Sequence, residues 1–172
     1  MKGTNGKQML HLMTVASLAL FCLCLGSVAG NAQTQCGLEV EPNGTMLDAN
    51  DLGQIPFWGT RCINGRIDGW KDYFRFSVEV GSIATITTTS PSNGDTVLAI
   101  LDAAGNQIYF NDDDPSGGLQ SRIDTGYLVP GALYYVLVRA YNESDAFNYR
   151  LIVSTSPSID PDSVPLPTPP GL

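Results

Sequence analysis

Glu39, Glu41 and Asn43 stand two residues apart from one another. In an extended segment such residues project to one side, so two carboxylates and an amide carbonyl would present their oxygens together. That set suits calcium, a hard cation that takes about six to eight oxygens, and these residues make half a shell. The other half needs a second segment. Asp68 and Asp72 flank the short Gly69-Trp70-Lys71 loop and could supply it if that loop packs across the first strands. The alternative is that these acids only solvate the edge of a domain. Trp58 and Trp70 fall in loops near the expected ion and read as packing groups.

A second acidic cluster, Asp112-Asp113-Asp114-Pro115-Ser116-Gly117, offers a possible second site. Read as an EF-hand loop, it places Ile123 where a bidentate glutamate belongs, and its flanks are strand-like. An EF-hand is excluded and only a looser oxygen site remains. Adjacent carboxylates repel, and either a cation or solvent would relieve the repulsion. Asp124-Thr125-Gly126 spells the tripeptide of aspartic proteases, whose chemistry needs a second aspartate sharing one proton; the chain has no second copy.

Histidine occurs once, at His11, and everything after residue 35 carries seven basic and seventeen acidic side chains, a net charge of −10. Without histidine there is no Ser-His-Asp or Cys-His machinery, no His-ligated zinc and no imidazole acid or base. A basic surface for nucleic acid is also missing. The enzyme reading that survives is a glycoside hydrolase built on two carboxylates, and no motif points to its cleft.

Residues 1–32 read as a signal peptide, with Lys2 and Lys7, an apolar run over 13–28, and small residues at Gly30-Asn31-Ala32. Export is the expectation, with an uncleaved anchor as the alternative; no membrane span is expected in the mature chain. Cys22 and Cys24 lie inside the run. In an oxidising compartment the remaining pair, Cys36 and Cys62, most simply forms a disulfide, and the alternative is two buried thiols. Residues 157–172 hold six prolines and read as an extended tail unable to join a sheet.

The stretch between, 36–156, is all β by pattern. Phe74, Phe76, Val78 and Val80 alternate with Tyr73, Arg75, Ser77 and Glu79. Residues 83–89 are rich in threonine and β-branched side chains, and 97–101 form a continuous apolar run that suits a strand covered on both faces. Strands are expected over 107–110 and 149–153 as well. Gly105 and Val129-Pro130-Gly131-Ala132 mark turns. Tyr134, Val136, Val138 and Ala140 take the core register, which puts Tyr135 and Tyr141 on the outer face beside Arg139. Turns recur about every eight to twelve residues without an amphipathic helix, so a two-sheet sandwich is the economical fold.

The order Glu39-Val40-Glu41-Pro42-Asn43, Asp72-Tyr73-Phe74-Arg75-Phe76, Asp95-Thr96-Val97-Leu98-Ala99-Ile100-Leu101-Asp102, Asn111-Asp112-Asp113, Gly131-Ala132-Leu133-Tyr134-Tyr135 and Asn148-Tyr149-Arg150-Leu151 resembles the bacterial pre-peptidase C-terminal domain. That family includes the collagen-binding modules of bacterial collagenases. The resemblance implies a jelly-roll-like antiparallel β-sandwich, secretion, no catalysis and often calcium. Carried over by motif, it implies ligands at Glu39, Glu41, Asn43, Asp68 and Asp72. Members often place an acid or amide after the asparagine; Gly44 stands there in this chain, so one ion is expected and not a pair. The expected function is a secreted, non-catalytic binding module for an extracellular protein or polysaccharide ligand. A surface or matrix component tethered by the Pro-rich tail is the other non-enzymatic reading.

Overall fold

The computed structural model describes residues 35–68 and 71–158. The expected signal peptide, Trp70 and all but the first two residues of the Pro-rich tail lie outside these. The described strands are β1 (Gly37–Leu38), β2 (Asn50–Ile55), β3 (Thr60–Ile67), β4 (Lys71–Val78), β5 (Ser82–Thr89), β6 (Thr96–Leu101), β7 (Gln107–Asn111), β8 (Arg122–Asp124), β9 (Tyr134–Ala140) and β10 (Phe147–Pro157). They form two five-stranded sheets, ordered β1-β3-β10-β5-β8 and β2-β4-β9-β6-β7. Among the described residues no helix is long and apolar enough to cross a membrane.

The expected alternations hold except at Val80, which lies beyond the end of β4 at Val78 and is exposed. Phe74, Phe76 and Val78 of β4, Val136 and Val138 of β9, Ile86 of β5, and Leu151 and Val153 of β10 all face the space between the sheets and are buried. Each such side chain, removed from water, contributes about 1.5–3 kcal/mol. Every residue of β6 is buried, as its unbroken apolar run requires. Gly105 and Gly131 take the positive φ of 85° and 71° that their turns demand.

Three features depart from expectation. The sandwich is not wholly antiparallel: β1 pairs with β3, and β2 with β4, in parallel. The reason is topological. The first strands alternate between sheets, so strands two apart in the chain run the same way and meet side by side. Second, Tyr135, expected on the outer face, is buried. Residues 46–49 fold over it, and it joins Ala49 and Leu101 in a second small apolar cluster, leaving Tyr141 exposed. Third, Pro157 pairs with Ser82 at the last position of β10, where its missing N–H costs the ladder nothing further.

β2 and β3 are not evident as strands in the sequence. Gly53, with φ at 72°, breaks the register of β2 between Asp51 and Gln54 and interrupts its alternation. Arg61 of β3 ties the two sheets at this edge by donating from Nε to Leu52 O and from Nη2 to Gln54 O, each at 3.0 Å.

The Cys36–Cys62 disulfide is present, with its Cα atoms 4.5 Å apart. It fastens the chain immediately before β1 to Cys62, near the start of β3. Replacing both cysteines with serine is expected to lower unfolding stability by about 2–4 kcal/mol, read from urea denaturation. An unchanged midpoint would show that β1 is held without the crosslink.

Candidate metal centre

The segment between β1 and β2 is pinned from several sides. Glu39 N–H donates to Asn64 O at 3.1 Å, and Tyr73 N–H donates to Asn43 O at 2.8 Å. Asn50 holds Val40 at both its amide and its carbonyl, each at 2.7 Å. Glu41 N-terminal to Pro42 joins it through a cis peptide bond. The segment therefore lies across the end of the sandwich, bonded to β3 of one sheet and β4 of the other.

This path brings the Glu39, Glu41 and Asp72 carboxylates together, with one oxygen from each within 4.8 Å of the others. Among the described residues no other group of acids is gathered so closely. Asn43, fully buried, completes the set: its side-chain amide nitrogen donates to Asp72 Oδ1 at 3.1 Å and to Glu41 Oε2 at 3.2 Å. Turned by half a rotation, the amide would present its oxygen there instead. The Asn43 amide thus has one orientation that satisfies bare carboxylates and another that adds a fourth oxygen to a cation's shell. Asp68 lies exposed just after β3 and is not part of the gathered group.

Tyr149 of β10 supplies the other polar partner. Its hydroxyl lies 2.7 Å from Asp72 Oδ2 and 3.1 Å from Glu39 Oε2, and its single proton serves one of them at a time. Gly65, across the strand from Tyr149, makes room for this arrangement: a Cβ there would stand 2.4 Å from the tyrosine ring and 2.6 Å from Glu39 Oε2. Glu39 also accepts the Arg66 N–H. Neither Tyr149 nor Gly65 announces this role in the sequence; each reads as an ordinary strand residue until the register is known.

The electrostatics follow from crowding. Asp72 is 2% exposed, and burial, followed by the Glu39 and Glu41 charges, pushes its carboxyl up to about 7 against the pull of the Tyr149 hydrogen bond. Burial also raises Glu39, partly opposed by the Arg66 and Tyr149 hydrogen bonds. Burial above all, with the two neighbouring carboxylates, pushes the Tyr149 hydroxyl far up, so it stays protonated. The donors are all oxygens, hard and negatively charged, which fits calcium better than a metal that prefers nitrogen or sulfur. Glu39, Glu41, Asn43 and Asp72 would hold the ion, with water completing the shell.

The second acidic loop is organised differently. Asp114 accepts from Ser116 N–H at 2.8 Å and from its hydroxyl at 2.6 Å, which lowers its carboxyl. The loop is anchored where Ser121 Oγ donates to Asp112 O at 2.7 Å. Asp113 is exposed. Asp95, which the sequence reading passed over, has its carboxyl raised by burial and by Asp112, Asp113 and Asp145. Asp112, Asp113 and Asp114 do not converge as Glu39, Glu41 and Asp72 do. Asp124 is held by the Thr85 hydroxyl at 2.6 Å and by the Arg122 fork, which keeps its carboxyl low. Trp58 is not near the acidic cluster: it precedes β3, whose far end carries Gly65, and it is 68% exposed.

No family model matches the chain, and no curated protein does. Solved structures with a similar fold include the pre-peptidase C-terminal domain of Bacillus anthracis collagenase, at 16% identity and a TM-score of 0.46, covering 60% of this chain and 95% of that one. The periplasmic inhibitor of g-type lysozyme from Aeromonas hydrophila follows at 18% identity and a TM-score of 0.41, covering 62% and 99%. The Yersinia pseudotuberculosis-derived mitogen has 19% identity and a TM-score of 0.43, covering 64% and 98%.

The raised Asp72 carboxyl sets the sign of a pH effect. The folded chain takes up a proton below about 7 that the unfolded chain takes up only near 3.8. In chelator, stability is therefore expected to rise as pH falls from 8 toward 5, because the repulsion among the ionised acids is relieved. Thermal melts in chelator across that range check this; a melting temperature that falls steadily from pH 8 to 5 would contradict it.

Proposed function

We propose that the protein is an exported, non-catalytic binding module in which one calcium ion clamps the segment 39–43 onto the end of a β-sandwich. The observation that carries this reading is the convergence of oxygens from Glu39, Glu41 and Asp72, with the Asn43 side-chain amide beside two of them. No cationic side chain pairs with these carboxylates among the described residues. A divalent ion would supply the missing positive charge, and because the ligands come from segments bonded to both sheets, its binding would stabilise the fold by linkage.

Export is supported by the disulfide, which persists in oxidising compartments, and by the signal-like residues 1–32. The non-catalytic reading is supported by the burial of Asp72. Its carboxyl holds a proton near neutrality, as a general acid must, but at 2% exposure it cannot reach a glycosidic oxygen. The order of motifs that resembles pre-peptidase C-terminal domains supports the same reading. Its ligand would be an extracellular protein or polysaccharide.

Millimolar calcium is expected to raise the melting temperature by about 3–10 °C over chelator, given an affinity of about 10⁻⁴ to 10⁻³ M typical of extracellular modules. Asp72→Asn should abolish that shift and, at pH 8, melt higher than the native chain in chelator because a buried charge is gone. Identical melting of the native chain with calcium and with chelator would remove the ion from the account.

A further inference from the structure

The outer face of the β1-containing sheet carries a groove of about 680 Å³. It lies beside the acidic cluster, with Glu39 and Tyr149 reaching both. Its floor follows from strand register: Arg66 of β3 pairs with Asn148 of β10, Asn64 with Arg150, and Arg150 with Thr89 of β5. Asn64, Arg66, Asn148 and Arg150 therefore share one face, and the two arginines are diagonal neighbours about 7–8 Å apart.

Cationic donors are scarce on this acidic chain, and most are already engaged. Arg75 and Arg122 pair with Asp51 and Asp124. Arg61 and Arg139 bond to backbone carbonyls. Arg150 donates through Nε to Asn64 Oδ1 at 3.0 Å, which orients the guanidinium and leaves its terminal nitrogens without a partner among the described residues. The Arg66 guanidinium likewise has no partner among them. Guanidinium donors not yet satisfied thus concentrate in the groove, where a planar fork can hold a carboxylate.

We propose that this groove binds an acidic oligosaccharide, with Arg66 and Arg150 holding a uronate carboxylate and Asn64, Asn148 and Thr89 bonding its hydroxyls. The aliphatic stems of the arginines, with Leu38 and Pro91, give the sugar C–H faces a surface to lie on. An acidic peptide fits less well. A peptide laid along a sheet edge bonds to open backbone groups, and here Asn64 O already accepts from Glu39 N–H while Arg66 N–H donates to the Glu39 carboxylate. The proposal rests on the binding-module reading and names its ligand; it does not require the ion.

The test is calorimetric titration of the full chain, in calcium and in chelator, with a hyaluronan octasaccharide, neutral chitohexaose and poly-L-glutamate. The hyaluronan fragment is expected to bind saturably and more weakly as salt rises. Arg66→Gln with Arg150→Gln should weaken it at least about tenfold, the scale of a lost charge-assisted contact, while Arg122→Gln on the same sheet should not. Arg66→Lys with Arg150→Lys, which keeps the charge and loses the fork, should fall between the native and glutamine forms. Melting curves of each variant report its folding. No saturable hyaluronan binding, equal binding of chitohexaose, an unaffected glutamine double variant, or poly-L-glutamate binding as tightly through the same arginines would each overturn the proposal. Sugar binding through the arginines without any calcium effect would end the ion reading and leave this one standing; a calcium effect without sugar binding would do the reverse.

Discussion

Three carboxylates held close together at the end of a β-sandwich repel one another, and the local structure is an answer to that repulsion. Glu39, Glu41 and Asp72 are brought there by backbone bonds that leave them little freedom to spread: Glu39 is fixed to Asn64 of β3, and Asn43 to Tyr73 of β4. One proton from Tyr149 and an amide from Asn43 offset part of the charge. Protonating Asp72 meets the rest, and the proposed cation would meet it as well. Both routes neutralise the same crowded oxygens, and they are mutually exclusive at a given ligand.

The position of the cluster gives it leverage. Its carboxylates come from a segment outside the strands and from the start of β4, while the supporting Tyr149 and Gly65 belong to the opposite sheet. The disulfide tethers the same segment a few residues upstream. Arg61 joins the sheets at the opposite end of β3. Arg61 and the crosslinked Cys62 are adjacent on β3 and the acidic cluster lies toward that strand's other end, so the edge that carries the short β1 is held at both ends. The groove on the outer face borrows part of this order, since Glu39 and Tyr149 line it as well.

Much of this was legible in residue order, for identifiable reasons. A period of two is a strong signal, so β4 and β9 and their inward rows could be read directly, while β5 showed in its β-branched content and β6 in its unbroken apolar run; the Glu39-Glu41-Asn43 spacing pointed to one side of an extended chain. Parallel pairing was not legible, because it depends on which sheet each strand joins. Asp68 and Asp72 look equivalent in sequence, but Asp72 lies inside β4 under the crossing segment while Asp68 sits in the open after β3. Tyr149 lies 110 residues from Glu39, and only the register of β10 against β3 discloses it. Tyr135 obeys its alternation and still ends buried, because a loop with no periodic pattern covers it.

The most direct measurement is diffraction from crystals grown in millimolar calcium, with the anomalous signal used to identify the ion. The account predicts one peak bounded by Glu39, Glu41, Asn43 and Asp72, at about 2.3–2.6 Å from their oxygens, with the Asn43 oxygen turned toward it. Density without an ion there, and with Asp72 and Glu41 still in contact through the Asn43 nitrogen, would contradict it.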